Sequence, residues 1–149
     1  MQLTTKALIE VIMVPPVTVD ESDSILVVAK VLLQSNKGCV LVTSAGEVVG
    51  IITERDMLRF ILKEGCVISP EIESRDIMIK PVLTIHKNAT LAQADDLMAQ
   101  AKINRLAVVE TEGSLVVVGL VDSEMIKNSI KIELLKTLKT RQKYEHHRE

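Results

Sequence analysis

The sequence predicts an α+β (α/β) fold made of two tandem β-α-β-β-α units packed about a pseudo-two-fold axis. Three observations carry this. The chain is written twice. Each copy holds two short β-branched runs split by a turn that contains glycine. Each copy also has helical stripes that start at a capping residue.

The duplication is direct. MVPPVTV (13–19) finds a partner in MIKPVLTI (78–85), with one residue added. SILVVAKVLLQSNKGCVLV (24–42) matches TLAQADDLMAQAKINRLAVV (90–109), and EVVGIITERDML (47–58) matches LVVVGLVDSEMI (115–126). Met13 thus answers to Met78, Ser24 to Thr90 and Gly50 to Gly119. The offset is 65–66 residues early and 69 later, which lengthens a loop near Glu112 to Ser114.

Taken in order, each unit opens with a short extended piece after a proline, Val17–Val19 or Val82–Ile85, where the residue before Pro is biased away from helix. Ser24 or Thr90 then caps a helix. Its apolar positions are Ile25, Val28 and Leu32 in one copy and Leu91, Ala94 and Met98 in the other, at i, i+3 and i+7. CVLV-TSAGE-VVGIIT and LAVVE-TEGS-LVVVGLV follow, and both read as paired, well-buried strands. A second helix begins after Thr53 or Asp122. Lys63 to Glu73, with Gly65 and Pro70, is the natural connector. The predicted organisation is therefore 1–66, a linker at 67–75, 76–130, and a helical extension at 131–149. A unit of about 55 residues sits near the lower limit for folding alone, so packing one sheet on the other is the expected remedy.

Composition narrows the function. The 149 residues are 47% apolar and 26% charged, a globular mixture, with net charge −2. There is no Trp, and Phe60 and Tyr144 are the only aromatic residues. The core is therefore aliphatic, and base stacking on aromatic platforms is largely excluded. No run approaches the roughly 18–20 apolar residues of a membrane span, and the N-terminus lacks the features of a signal peptide. Cys39 and Cys66 have no CxxC partner and read as free buried thiols. The expectation is a cytoplasmic protein.

Thr53 and Asp56, in GIITERDML, admit two readings. Thr at an N-cap with an acidic residue three positions on is close to a capping box. The same helix start offers unpaired N–H groups and partial positive charge to a phosphate. A carboxylate there also suits the two donors of a ribose diol.

The motifs GIITERDMLR, M-x-x-P-V-x-x-[VI] and INRLAVV, in this order and duplicated, resemble the CBS domain over residues 11–66 and 76–130. The chain is similar to a stand-alone CBS-domain pair of prokaryotic type, a Bateman module. The resemblance implies a non-enzymatic regulatory module that binds an adenine nucleotide or related adenosyl ligand between its domains, often as a disc-like homodimer. It places one cleft, cleft A, at Gly50, Ile51, Thr53 and Asp56 of the first copy. The second copy would bring Pro81, Val82, Leu83, Ile103, Asn104 and Arg105 to the same cleft. Arg105 would offer a forked donor to phosphate. Cleft B would use Val17, Thr18, Asn36, Lys37, Gly38, Leu120 and Asp122. Here the sequence departs from the pattern. Asp122 stands where Thr53 does and Met125 where Asp56 does, so cleft B is expected to be weaker or empty, with Asp122 chiefly a cap. Glu124 would replace the missing acceptor only if its helix began one residue earlier. AMP is the expected ligand, with ADP or ATP competing, and no cofactor is required.

The C-terminal segment from Glu124 keeps an apolar stripe of Met125, Ile126, Ile130, Leu134, Leu135 and Leu138. Its other positions hold seven Lys or Arg against four Glu. A helix packed on a second copy is the first reading. Nucleic-acid docking is the alternative, without a recognisable DNA-reading motif. His86, His146 and His147 have no ligand partners at metal spacing, so no metal site is expected. Asp95 and Asp96 are adjacent on a helix and diverge, and no nucleophile–base set is present. A regulated partner protein is expected, its identity open.

Overall fold

The computed structural model describes residues 6–65 and 68–147. The first unit comprises β1 (Thr18–Asp20), α2 (Ile25–Ser35), β2 (Cys39–Ser44), β3 (Glu47–Thr53) and α3 (Glu54–Lys63). The second comprises β4 (Thr84–His86), α5 (Leu91–Ala101), β5 (Arg105–Val109), β6 (Val117–Asp122) and α6 (Ser123–His146). Two one-turn helices, α1 (Ile9–Ile12) and α4 (Ser74–Ile77), precede the units. Each unit has a three-stranded sheet, ordered β1-β2-β3 and β4-β5-β6, with one parallel and one antiparallel pair. This is the α+β tandem that the repeats predict.

The helix stripes do what their spacing implies. Ile25, Val28 and Leu32 are buried with Val19, Val40, Val42, Ile52 and Met57 in one core. Leu91, Ala94 and Met98 are buried with Ile85, Leu106, Val108, Val121 and Ile126 in the other. Each Val, Leu, Ile or Met side chain among them contributes about 1.5–3 kcal/mol on leaving water. The opposite sheet faces meet in a third cluster, where Cys39, Leu41 and Val48 lie against Ala107 and Leu120, flanked by Val14, Ile51, Val82 and Val117. Sheet therefore packs on sheet. At the far end Val48 N–H donates to the Leu115 carbonyl at 2.9 Å, tying one half to the other.

The segment before each unit docks on the other unit. Ile9 is buried in the core of the second repeat, and Ile68, Ile72, Ile77 and Met78 pack on the core of the first. Val14 and Leu120 exchange two backbone hydrogen bonds, of 3.1 and 2.9 Å, on the free edge of β6. Ile79 and Ile51 do the same on β3, at 2.9 and 3.0 Å. The β3 and β6 edges are thus each covered at one point by the opposite repeat's leading segment.

Glycine permits these crossings. A Cβ on Gly50 would lie 2.5 Å from Met78 Sδ, and one on Gly119 would lie 2.6 Å from Met13 Sδ. Each Met therefore crosses a strand at the position where the other repeat supplies a Gly. Sequence reading misses α1 and α4, since a single turn shows no periodicity.

From Ile130 onward α6 leaves the body. Ile126 is its only buried residue, Met125 and Ile130 pack partly on the second core, and Leu135 and Leu138 are half exposed. Among the described residues no helix is long and apolar enough to cross a membrane. Cys39 is free and buried, and Cys66 lies outside the described residues.

Candidate ligand-binding cleft

The crossing at Ile79 generates the cleft. After pairing with β3 of the first unit, the chain runs through Pro81, Val82 and Leu83 into β4 of the second. It bridges the start of α3 and the start of β5. The space so enclosed is about 460 Å³, within the range of small-ligand sites. It is lined by Ile51, Thr53, Asp56, Pro81, Val82, Leu83, Ile103, Asn104 and Arg105, together with Arg55, Arg59, Ile79 and Lys102. Nine of the ten residues expected at cleft A therefore share one cavity. Gly50 does not line it, because Gly50 is buried beneath Met78.

Four lining residues escaped the sequence reading, and three had a readable signal. Arg55 and Arg59 are one turn apart on the face of α3 that carries Asp56 toward the cleft. Lys102 occupies the position of Asn36, which the resemblance assigns to cleft B. Applying the repeat to it would have put Lys102 in cleft A. Ile79 had no such signal, because its strand pairing runs to the opposite repeat.

Thr53 and Asp56 form a complete capping box. Asp56 Oδ2 accepts from the Thr53 N–H at 2.8 Å and from the Thr53 hydroxyl at 2.8 Å, and Asp56 N–H donates to Thr53 Oγ1 at 3.2 Å. Glu54 N–H donates to the Gly38 carbonyl at 3.1 Å. Among the first three amides of α3, only the Arg55 N–H has no partner among the described residues. That amide and the second oxygen of Asp56 remain for a ligand, at the positive end of a helix dipole.

Cleft B is organised differently. Asp122 Oδ1 accepts from Met125 N–H at 2.8 Å and caps α6, with no reciprocal bond from Met125. The helix begins at Ser123, level with the start of α3 in the first repeat, so the condition for Glu124 to act as an acceptor is not met. Leu120 is buried in the cluster between the sheets, and Val17 packs on the first core. Thr18 pairs with Leu41 in the sheet. Asn36 and Lys37 are exposed, with Asn36 in the left-handed region that Asn tolerates. Gly38 has φ +74, and a Cβ there would sit 3.1 Å from an Arg105 guanidinium nitrogen.

Arg105 thus stands between the two clefts, lining A while reaching Gly38 beside B. It is the cross-strand partner of Asp122. Next to both lies Cys39, whose thiol burial pushes up; the Arg105 charge opposes that shift and Asp122 adds to it.

This cavity between duplicated sheet-helix units defines the class: a paired-repeat fold with a cleft between its two halves. The chain belongs to the CBS domain family, whose family model matches residues 8–63 and 75–131. An uncharacterised protein, MK0525 of Methanopyrus kandleri, is 37% identical over 78 residues, 52% of this chain and 39% of its own length. The inosine-5'-monophosphate dehydrogenase of Nitrosopumilus maritimus is 33% identical over 92 residues, 62% of this chain but 17% of the enzyme. The chain thus spans well under half of these relatives. Among solved structures, the CBS domain pair of protein MJ0100 in complex with 5'-methylthioadenosine and S-adenosyl-L-methionine superposes with TM-score 0.71 at 28% identity, over 85% of this chain and 98% of that one. CBS pairs are in general regulatory, non-catalytic modules, and in larger enzymes they form a regulatory part.

Proposed function

We propose that this chain is a regulatory module that binds an adenine nucleotide in cleft A, and that the bound ligand biases how the two repeats sit for a partner protein to read. The supporting observation is the cleft itself. One wall comes from the start of α3 in the first repeat, and the other comes from Pro81–Leu83 and Ile103–Arg105 in the second. A ligand spanning it touches both halves. Any shift it causes is bounded by its difference in affinity for the two arrangements.

The division of labour follows from chemistry. Pro81, Val82, Leu83 and Ile103 offer apolar surface and backbone groups to the adenine. The open oxygen of Asp56 accepts from the ribose. The Arg55 amide and Arg105 serve the phosphate, while the Thr53 hydroxyl, which donates to Asp56, holds that carboxylate in place. AMP is the smallest nucleotide that meets all three. The relative with bound 5'-methylthioadenosine and S-adenosyl-L-methionine lends support, since both molecules carry the same adenosine.

We also take the chain to form a homodimer. Leu26 and Leu33 on α2 and Leu58 and Leu62 on α3 leave apolar surface in water on the helical side of the first repeat. A second copy would cover it.

Thermal unfolding with and without AMP tests the nucleotide reading. Asp56→Ala removes the reciprocal half of the α3 capping box and Asp122→Ala the cap of α6, and each costs about 1 kcal/mol of basal stability. AMP is expected to stabilise the wild type and Asp122→Ala alike, and to lose its effect in Asp56→Ala. Equal stabilisation of all three proteins, or of none, would contradict the proposal.

A further inference from the structure

Cleft A is far more basic than a single phosphate requires. Arg55, Arg59, Lys102 and Arg105 all line it, against one carboxylate, Asp56. Asp56 already accepts two hydrogen bonds from Thr53. Among the described residues, none of the four cations has a carboxylate within ion-pair distance; the ion pairs present are Arg75–Glu73, Lys87–Glu110 and Lys136–Glu133. Four cationic residues lining one cavity, none of them ion-paired among the described residues, raise the local potential for anions and favour ligands of higher negative charge.

The other repeat serves as an internal control. At the positions of Arg55, Arg59, Lys102 and Arg105 it carries Glu124, Asn128, Asn36 and Cys39. The same backbone therefore folds without the cations. Fold stability does not require them.

Lys102 adds a second, independent observation. It caps α5 in the left-handed region, with φ 54, as Asn36 caps α2 with φ 54. Asn suits that conformation through its short polar side chain, whereas Lys has no such compensation. A lysine in a conformation that disfavours it, lining a basic cleft, points to a use for its charge.

We infer that cleft A grades adenine nucleotides by phosphate number, Arg55, Arg59 and Lys102 forming a rim that engages the phosphates beyond the first, so that ATP binds more tightly than ADP and ADP more tightly than AMP. This rests on the nucleotide reading of the cleft and adds its selectivity. It also sets the chain apart from the relative that holds 5'-methylthioadenosine and S-adenosyl-L-methionine. The first of those carries no phosphate, and the second presents a sulfonium to four cations.

The test is calorimetric titration with adenosine, AMP, ADP and ATP, in EDTA and at low salt. It uses the wild-type protein and the double variant Arg59→Asn/Lys102→Asn, which imports the residues of the other repeat and so keeps the fold. In the wild type, affinity is expected to rise roughly threefold per added phosphate. The gradient should shrink at high salt, as exposed charges are screened. The double variant should lose most of the gradient, read within each protein as the ratio of ATP to AMP affinity with phosphate-free adenosine as the baseline, and 5'-methylthioadenosine should bind more weakly than AMP to the wild type. If AMP binds but ATP is no tighter, or if the gradient survives in the double variant, the inference falls and the nucleotide reading stands. If no adenine compound binds, the nucleotide reading falls and takes the inference with it.

Discussion

At the scale of the residue, the crossing of Met over Gly is the feature most open to attack. A methyl group on Gly50 would meet Met78 Sδ at 2.5 Å, Cγ at 2.7 Å and Cβ at 2.8 Å, so the far end of the side chain cannot simply swing clear. Gly50→Ala is expected to cost about 1–3 kcal/mol, the usual range for overpacking. Urea unfolding measures it, and Met78→Ala in the same chain should recover part of the loss, giving a coupling energy above about 0.5 kcal/mol. Additive costs would mean that the two residues do not touch. Sequence alone pairs Met13 with Met78 and Gly50 with Gly119 as equivalents. It does not show that Met78 crosses Gly50 and Met13 crosses Gly119, because equivalence within a repeat carries no information on contact between repeats. Thr53 and Asp56 show the opposite case. Their capping bonds follow from the local pattern and their place in the cleft from the family resemblance, and the structure holds the two together.

At the scale of the element, boundaries set by periodicity fare best. The stripes of α2 and α5 and the strands β2, β3, β5 and β6 lie where the repeats put them, since each is long enough for its pattern to show. The one-turn helices and the exchange of leading segments are not legible, because four residues have no period and docking onto the opposite unit is a tertiary choice. The extension of α6 is legible in length, and its distal half buries nothing. Removing residues 132–149 should therefore change stability by no more than about 0.5 kcal/mol, roughly 2 °C in Tm for a chain of this size. Differential scanning calorimetry checks this. A larger drop would show that the distal helix is packed on something in solution.

At the scale of the whole molecule, the exposed leucines mark the surface that a second copy would use. Leu33 is 83% and Leu62 76% exposed, whereas Gln93, Asp96 and Gln100 occupy the exposed side of α5. Sedimentation should report a dimer that Leu33→Glu/Leu62→Glu converts to a folded monomer; a wild-type monomer would contradict the assignment. The nucleic-acid alternative rests on Lys136, Lys139 and Lys143, which are exposed on α6 beside Arg141 and Tyr144.

The central claim is that one small molecule touches both repeats at once in cleft A. Hydrogen–deuterium exchange with AMP and with ATP tests it most directly. The account predicts slowed exchange at 51–59 together with 79–83 and 102–106, two stretches from different repeats, and no change at 36–39 or 120–125. Protection confined to one repeat, or centred on Asn36–Gly38 and Asp122, would contradict it.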